Sequence, residues 1–202
     1  FELDDALRLA EELSAPLKVL SLDILDREVI ISNPADRCYF CKKTLFTALT
    51  SQAKRDGYTL VFDGTNASDQ TDDRPGMKAL TELQVLSPLR ECGLTKQTIR
   101  QLSKEAGLFT YDKPSYACLA TRIPTGTRIT GNLLNKIETC EQSLAHLGYR
   151  DFRIRLLDGC ARLQLLESQF PQALRQKNQI RELLLPHFKE VLLDLTPRKG
   201  DD

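Results

Sequence analysis

The chain has 202 residues, 41% of them hydrophobic, with 28 basic and 28 acidic side chains and a formal net charge of zero. That length suits one large or two small domains with a sizeable core, and the balanced charge argues against a general nucleic-acid coat while leaving room for a local basic pocket. No run reaches the length of a transmembrane helix and no secretory signal opens the sequence, so the expectation is a cytoplasmic protein with reduced thiols and no membrane partner.

Leu3, Ala6, Leu7, Ala10 and Leu13 recur at helical spacing and predict an amphipathic helix over residues 1–14. Pro16 closes it, and Leu20, Leu22 and Ile24 then alternate as in a strand over 17–24. Residues 37–55 read as a helix ended by Asp56-Gly57, and residues 59–62 as a short buried strand stopped by Asp63-Gly64. After an irregular polar stretch, 65–75, come a helix near 77–83, a strand-like 84–86, and a helix from Thr95 to Ala106 with Gly107 as its C-terminal glycine. Helix and strand alternate, so this half is expected to be an α/β sheet domain, ending in the Pro- and Gly-bearing loop 112–131. Beyond it, a helix over 132–147, a β-hairpin of 152–156 and 162–166 around Asp158-Gly159, a helix over 171–188 and a strand over 191–195 make a small α+β domain, with 197–202 as a loose tail. The expected domains are therefore 1–125 and 126–202.

Six cysteines are present, and three stand out. Cys38 and Cys41 form a Cys-x-x-Cys pair, which in an intracellular chain points to metal or redox chemistry, because one helical turn aims two thiols the same way. Arg37, Lys42 and Arg122 add positive charge beside the pair and beside Cys118, which suits thiolates. Cys92, Cys140 and Cys160 have no partner at ligand spacing and read as small packing residues.

Among polar motifs, Asp63-Gly64-Thr65-Asn66-Ala67-Ser68-Asp69 follows a predicted strand, where open α/β sheets bind ligands; it reads equally as a plain Asn/Asp turn. Asp73-Arg74-Pro75-Gly76 offers a guanidinium on a rigid turn, suited to phosphate or carboxylate. Arg153 and Arg155 alternate on one strand and so share a face, with Arg162 on the neighbouring strand; converging guanidinia suit an anion, a solvated face being the alternative. Glu141 lies in a helix and reads by default as a solvent-facing charge.

Taken together, N-P-A-D-R-C-Y-F-C-K, V-F-D-G-T-N-A-S-D, D-R-P-G, S-P-L-R-E, L-T-K-Q-T-I-R, D-K-P-S-Y-A-C-L-A-T-R-I-P-T-G and F-R-I-R with A-R-L resemble the LarE family of ATP-dependent sulfur transferases over nearly the whole chain. The resemblance implies a PP-loop (adenine nucleotide alpha hydrolase-like) parallel-sheet domain followed by a small α+β domain. It also implies a reaction: ATP with Mg²⁺ adenylates a carboxylate of pyridinium-3,5-biscarboxylic acid mononucleotide, and sulfur then displaces AMP, on the route to the nickel-pincer cofactor of lactate racemase. Some members sacrifice a cysteine, whereas others hold a [4Fe-4S] cluster on three; three thiolates leave one iron open for an exchangeable sulfide, and Cys38, Cys41 and Cys118 match that second type. Carried over in the same way, Asp63, Gly64, Asn66, Asp69 and Arg74 belong to the nucleotide and activation region, Arg122, Arg153 and Arg155 to the substrate phosphate, and Glu141 to the same catalytic neighbourhood as Cys118 and Asp69. A small-molecule nucleotide, a sulfide donor and other copies of the chain in a ring are the implied partners.

Three departures qualify the match. No Ser-Gly-Gly-x-Asp-Ser phosphate loop occurs, so the sequence is expected to begin after about two β-α units, roughly 60 residues, and by itself to bind ATP weakly. Gln164 stands where the family commonly has Glu, and Thr121 where Ser is usual. Two rival readings are a tRNA-thiolating PP-loop enzyme, which would call for a broad basic surface, and a non-catalytic module in which the three cysteines and a fourth ligand hold structural Zn²⁺.

Overall fold

Local signals close most helices where the sequence places them. The computed structural model describes residues 2–69, 75–113 and 116–199, and the chain divides into two units: Phe1–Ile24 with Cys38–Lys113, and Leu25–Arg37 with Pro114–Asp202.

In the first unit α1 spans Glu2–Glu12, and Ser14, at φ +49°, turns the chain out of it. After α2 (Glu28–Ile31, in the second unit), α3 runs over Arg37–Arg55. Gly57, at φ +88°, then lets the Tyr58 N–H return to the Ala53 carbonyl at 2.9 Å, a left-handed helix ending that favours glycine. Helices α4 (Pro75–Glu82), α5 (Pro88–Glu91) and α6 (Lys96–Glu105) follow, the last capped by Thr95, whose side chain accepts from the Thr98 N–H.

The strands expected here are largely not formed. Residues 17–24 contain no strand, and the predicted segments 59–62 and 84–86 meet in a single parallel bridge, Phe62 to Leu86. Two hydrogen bonds make it, Leu86 N to Val61 O at 3.0 Å and Asp63 N to Leu86 O at 2.9 Å. Alternation predicts which residues could line a strand, but a parallel ladder exists only where a neighbour distant in sequence supplies it. Leu17, Val19, Leu22, Tyr58, Leu60 and Phe62 are accordingly exposed, while Ala79, Leu80 and Val85 are buried.

The second unit carries the main core. Helix α7 (Gly131–His146), capped by Thr130, buries Ile137, Cys140 and Leu144. Strands β1 (Arg153–Leu157) and β2 (Cys160–Gln164) pair antiparallel, with Arg153 opposite Gln164 and Arg155 opposite Arg162, and β3 (Val191–Leu193) joins β2 in parallel. Ile154, Ala161 and Leu163 face the core with Tyr149, Leu165 and Phe188, so Arg153, Arg155, Arg162 and Gln164 project from the opposite face.

Asp158 at φ +49° and Gly159 at φ +84° form the left-handed two-residue turn that matches strand twist. A Cβ on Gly159 would also lie 3.1 Å from Lys189 Cε. Gly159→Ala is therefore expected to lower stability by about 1–2 kcal/mol, read from denaturant midpoints.

Two expectations are corrected in this unit. The single helix over 171–188 is two, α8 (Phe170–Arg175) and α9 (Lys177–Leu184), divided at Gln176 (ψ +12°). Neither glycine nor proline marks the break; the Gln176 amide instead accepts from the buried Tyr149 hydroxyl at 2.9 Å. The tail is held at Arg198, whose N–H donates to the Leu165 carbonyl and whose guanidinium pairs with Asp151 at 2.7 Å.

The segment Leu25–Arg37 is stitched into this unit by Ile31 O and Asn33 O, which accept from the N–H groups of Ile129 (2.7 Å) and Gly126 (2.8 Å). Buried Asn33, at φ +56°, donates its amide to the Pro124 carbonyl at 2.8 Å. No helix among the described residues is long and apolar enough to cross a membrane.

Candidate active site

In the first unit, Cys38 and Cys41 lie one turn apart near the start of α3, Cys38 exposed and Cys41 half-buried. A Cβ on Gly76 would come within 2.9 Å of the Lys42 side chain, so glycine there lets the first turn of α4 approach α3 beside the pair. Asp63 follows the parallel bridge. Its carboxylate accepts from the Thr65 N–H and hydroxyl and from Ser87 Oγ at 2.7 Å. Burial works to raise the Asp63 carboxyl, but these donors, with the charge of Lys42, outweigh it and hold it below the ordinary range.

Asn66 and Asp69 close the next turn reciprocally. The Asn66 N–H donates to Asp69 Oδ2 at 3.0 Å, the Asp69 N–H donates to the Asn66 carbonyl, and Arg90 donates to the Asp69 carbonyl. The segment read as the nucleotide region is thus a fixed turn just after the isolated Phe62–Leu86 bridge. Arg74 and Asp73 lie outside the described residues.

In the second unit, Cys118 is exposed and opens a 3-10 turn, Leu119–Arg122. The Thr121 N–H and hydroxyl both donate to the Cys118 carbonyl, at 2.9 and 2.7 Å. Arg37, which precedes Cys38 in sequence, donates to the Ala120 carbonyl at 3.0 Å and to Asn33 Oδ1 at 2.8 Å. Arg122 is 2% exposed and Glu141 5%. The two form a bidentate pair (2.8 and 3.2 Å), and Glu141 also accepts the Ile154 N–H at the edge of β1. Glu141 is therefore a buried acceptor and not the solvent-facing charge of its default reading, because it falls on the same α7 stripe as Ile137, Cys140 and Leu144.

The sheet face opposite the core is a connected polar array. Arg155 Nη1 donates to the Thr121 carbonyl at 2.9 Å and Arg155 Nε to Gln164 Oε1 at 2.7 Å. Gln164 Nε2 donates to Asp194 Oδ2 at 2.7 Å, and Arg162 donates to the same oxygen at 2.6 Å. Among the described residues the Arg153 guanidinium has no hydrogen-bond partner. Burial first, then Arg198, Arg122 and Arg155, depress its guanidinium, and Arg155 is depressed by burial and the same kind of neighbours. An unpartnered, half-buried guanidinium among others is a place where an anion relieves repulsion.

Asp194 escaped the sequence reading; its only cue was its place just after the last strand. Gln164 is the largest influence holding its carboxyl below the ordinary value of 3.8, followed, against burial, by the Thr196 N–H and Arg162. A depressed carboxyl contributes stability that is complete above the unfolded value and is lost as pH falls toward the folded one. Stability of the wild type is therefore expected to drop below about pH 4 by an increment that Asp194→Asn lacks, measured by denaturant unfolding across that range.

Of the three cysteines read as packing residues, Cys140 is buried and Cys92 is not, so the reading is corrected for Cys92. Burial pushes the Cys140 thiol up to about 11, as suits a packing residue, whereas Cys92 is exposed at the end of α5 and Cys160 half-buried at the start of β2. Cys38 and Cys41 belong to one unit and Cys118 to the other, and among the described residues no three His, Cys, Asp or Glu side chains are gathered as a metal site. Thiols are the donors that an iron–sulfur group takes, and of the three only Cys38 and Cys41, a helical turn apart, share a unit.

No family model matches the chain. It is similar to an uncharacterized protein of Synechocystis, at 36% identity over 85% of this chain and 64% of that protein. It is similar also to the pyridinium-3,5-bisthiocarboxylic acid mononucleotide synthase of Lactiplantibacillus plantarum (33% identity, 96% of this chain, 71% of the relative) and to an uncharacterized protein of Methanocaldococcus jannaschii (31%, 96% and 75%). The chain thus spans from just under two thirds to three quarters of these relatives. An α/β chain with a small mixed sheet and an arginine-bearing sheet face is the class defined by the fold. By its likeness to the Lactiplantibacillus synthase along nearly its whole length, the chain belongs to the LarE family.

Proposed function

We propose that the protein is an ATP-dependent sulfur transferase acting on pyridinium-3,5-biscarboxylic acid mononucleotide. The observation that carries this reading lies within the second unit: the arginine-bearing sheet face is tied at Arg155 to the turn that presents Cys118, through the Thr121 carbonyl at 2.9 Å. An anion grip and an exposed thiol so linked suit a phosphorylated substrate whose reacting group must be held beside sulfur.

In this reading a substrate carboxylate oxygen attacks the α-phosphorus of ATP and pyrophosphate leaves; sulfide then attacks the acyl carbon and AMP departs with the bonding pair. Asp63, Gly64, Asn66 and Asp69 shape the nucleotide turn, with Arg74 beside them in sequence and Mg²⁺ accompanying the phosphates. Arg153 and Arg155 grip the substrate phosphate, and Glu141 serves by fixing Arg122 and the edge of β1. Cys38, Cys41 and Cys118 would hold the cluster. A [4Fe-4S] cluster on three thiolates supplies an open iron that can carry sulfide.

The test is anaerobic reconstitution of the protein with iron and sulfide, followed by substrate and ATP. The expected result is iron and acid-labile sulfide in the wild type, both lost in Cys38→Ser, Cys41→Ser and Cys118→Ser, with thiocarboxylate product and pyrophosphate formed together once a Ser-Gly-Gly-x-Asp-Ser phosphate-loop segment is joined to the sequence. Tight zinc in place of iron, with no nucleotide product, would overturn the reading.

A further inference from the structure

Arg155 could not hold its place on the sheet by itself. A guanidinium has five N–H donors on a long stem, and where it points depends on what accepts from it. Two acceptors fix this one: the Thr121 carbonyl takes Nη1 and Gln164 Oε1 takes Nε. Gln164 is itself fixed, since its Nε2 donates to Asp194, whose other oxygen accepts the Thr196 N–H.

We propose that Gln164 is a positioning residue that aims the Arg155 guanidinium at an anion, by accepting from Arg155 on its oxygen while its amide nitrogen is anchored on Asp194. The proposal rests on the reading that this sheet face binds the substrate phosphate, and it concerns a tetrahedral oxyanion such as a phosphate monoester. The amide serves both partners at once, with an acceptor toward Arg155 and a donor toward Asp194, which an ionised carboxylate cannot do. A carboxylate of the same shape would face Asp194 at a hydrogen-bond distance with no proton to share, and it would neutralise Arg155 besides. The charged groups around the position are Arg153 and Arg155 from β1, Arg162 from β2, Asp194 after β3, Arg122 from the 3-10 turn, Glu141 from α7 and Arg198 from the tail. Arg153 differs from Arg155 by its register: it stands directly opposite Gln164 on the neighbouring strand, whereas Arg155 stands opposite Arg162.

The experiment measures two things in the whole protein: affinity for inorganic sulfate, a dianion that does not titrate near neutrality, and solvent exchange of the Arg155 Nε–H, assigned by its loss in Arg155→Lys. Gln164→Leu, which keeps the bulk and loses both bonds, is expected to weaken sulfate about tenfold and to speed exchange of that proton. Gln164→Glu is expected to keep the proton protected and still weaken sulfate about tenfold, because the acceptor remains while the positive charge is cancelled. Wild-type sulfate affinity in both variants, alongside weakened binding in Arg153→Ala, would sink the role of Gln164 and leave the phosphate site standing. Faster exchange in Gln164→Leu with unchanged sulfate affinity would equally overturn the proposal, since Arg155 would then be ordered to no purpose. Unchanged affinity in Arg153→Ala would instead remove the site itself.

Discussion

Glu141→Leu should destabilise the second unit by about 3–5 kcal/mol, enough to unfold a marginal domain near physiological temperature. The residue accepts from Arg122 through both oxygens and from the Ile154 N–H, and the ion pair is almost fully buried, at 2% and 6% side-chain exposure. Removing the carboxylate strands a guanidinium in the core and leaves an edge N–H without a partner, two costs that water cannot offset there. The double variant Glu141→Leu with Arg122→Met should be far less harmful than the sum of the singles, because no charge is left behind. Denaturant unfolding of the three variants checks this; a Glu141→Leu protein within 1 kcal/mol of wild type, roughly the scale of a surface change, would mean that the pair is not desolvated.

Substrate affinity should respond just as sharply to the sheet face. A hydrogen bond to a charged group is worth about 1.5–3 kcal/mol, so on the proposed reading, in which this face grips the phosphate of the mononucleotide, Arg153→Ala and Arg155→Ala should each weaken its binding by about tenfold to a hundredfold. Iron content should not change in either, because neither side chain belongs to the thiol set. Calorimetry with parallel iron analysis separates the outcomes: unchanged affinity in both would leave a solvated arginine face, and lost iron would tie the arginines to the cysteines instead.

What the sequence disclosed and what it withheld divide along the range of the interactions. The α3 boundaries, the Thr95 cap of α6 and the Asp158-Gly159 turn were legible because a helix period, a cap or a left-handed turn is decided within a few residues. The parallel strands of the first unit were over-read, since alternation over 17–24 names a pattern without naming a partner. The break at Gln176 was missed for the same reason, as its Tyr149 contact spans 27 residues. That Arg153 and Arg155 share one strand face was legible from period-two spacing, which by itself said nothing of what that face binds. The burial of Glu141, against its default reading as a solvent-facing charge, has its sign in the position of the residue on the apolar stripe of α7. Asp194 and the bridging role of Gln164 needed the third strand to be placed first.

The stitching of Leu25–Arg37 into the second unit has a consequence for inheritance. Asn33 and Ile31 hold the Gly126 and Ile129 amides, and Arg37 holds the Ala120 carbonyl, so the turn bearing Cys118 is braced by residues encoded some ninety positions upstream. A gene fragment beginning after the first unit would deliver the hairpin and its helices without that brace. Any contiguous stretch of sequence that carries the Cys118 turn together with its brace must therefore run through residues 38–113 and bring that part of the first unit with it.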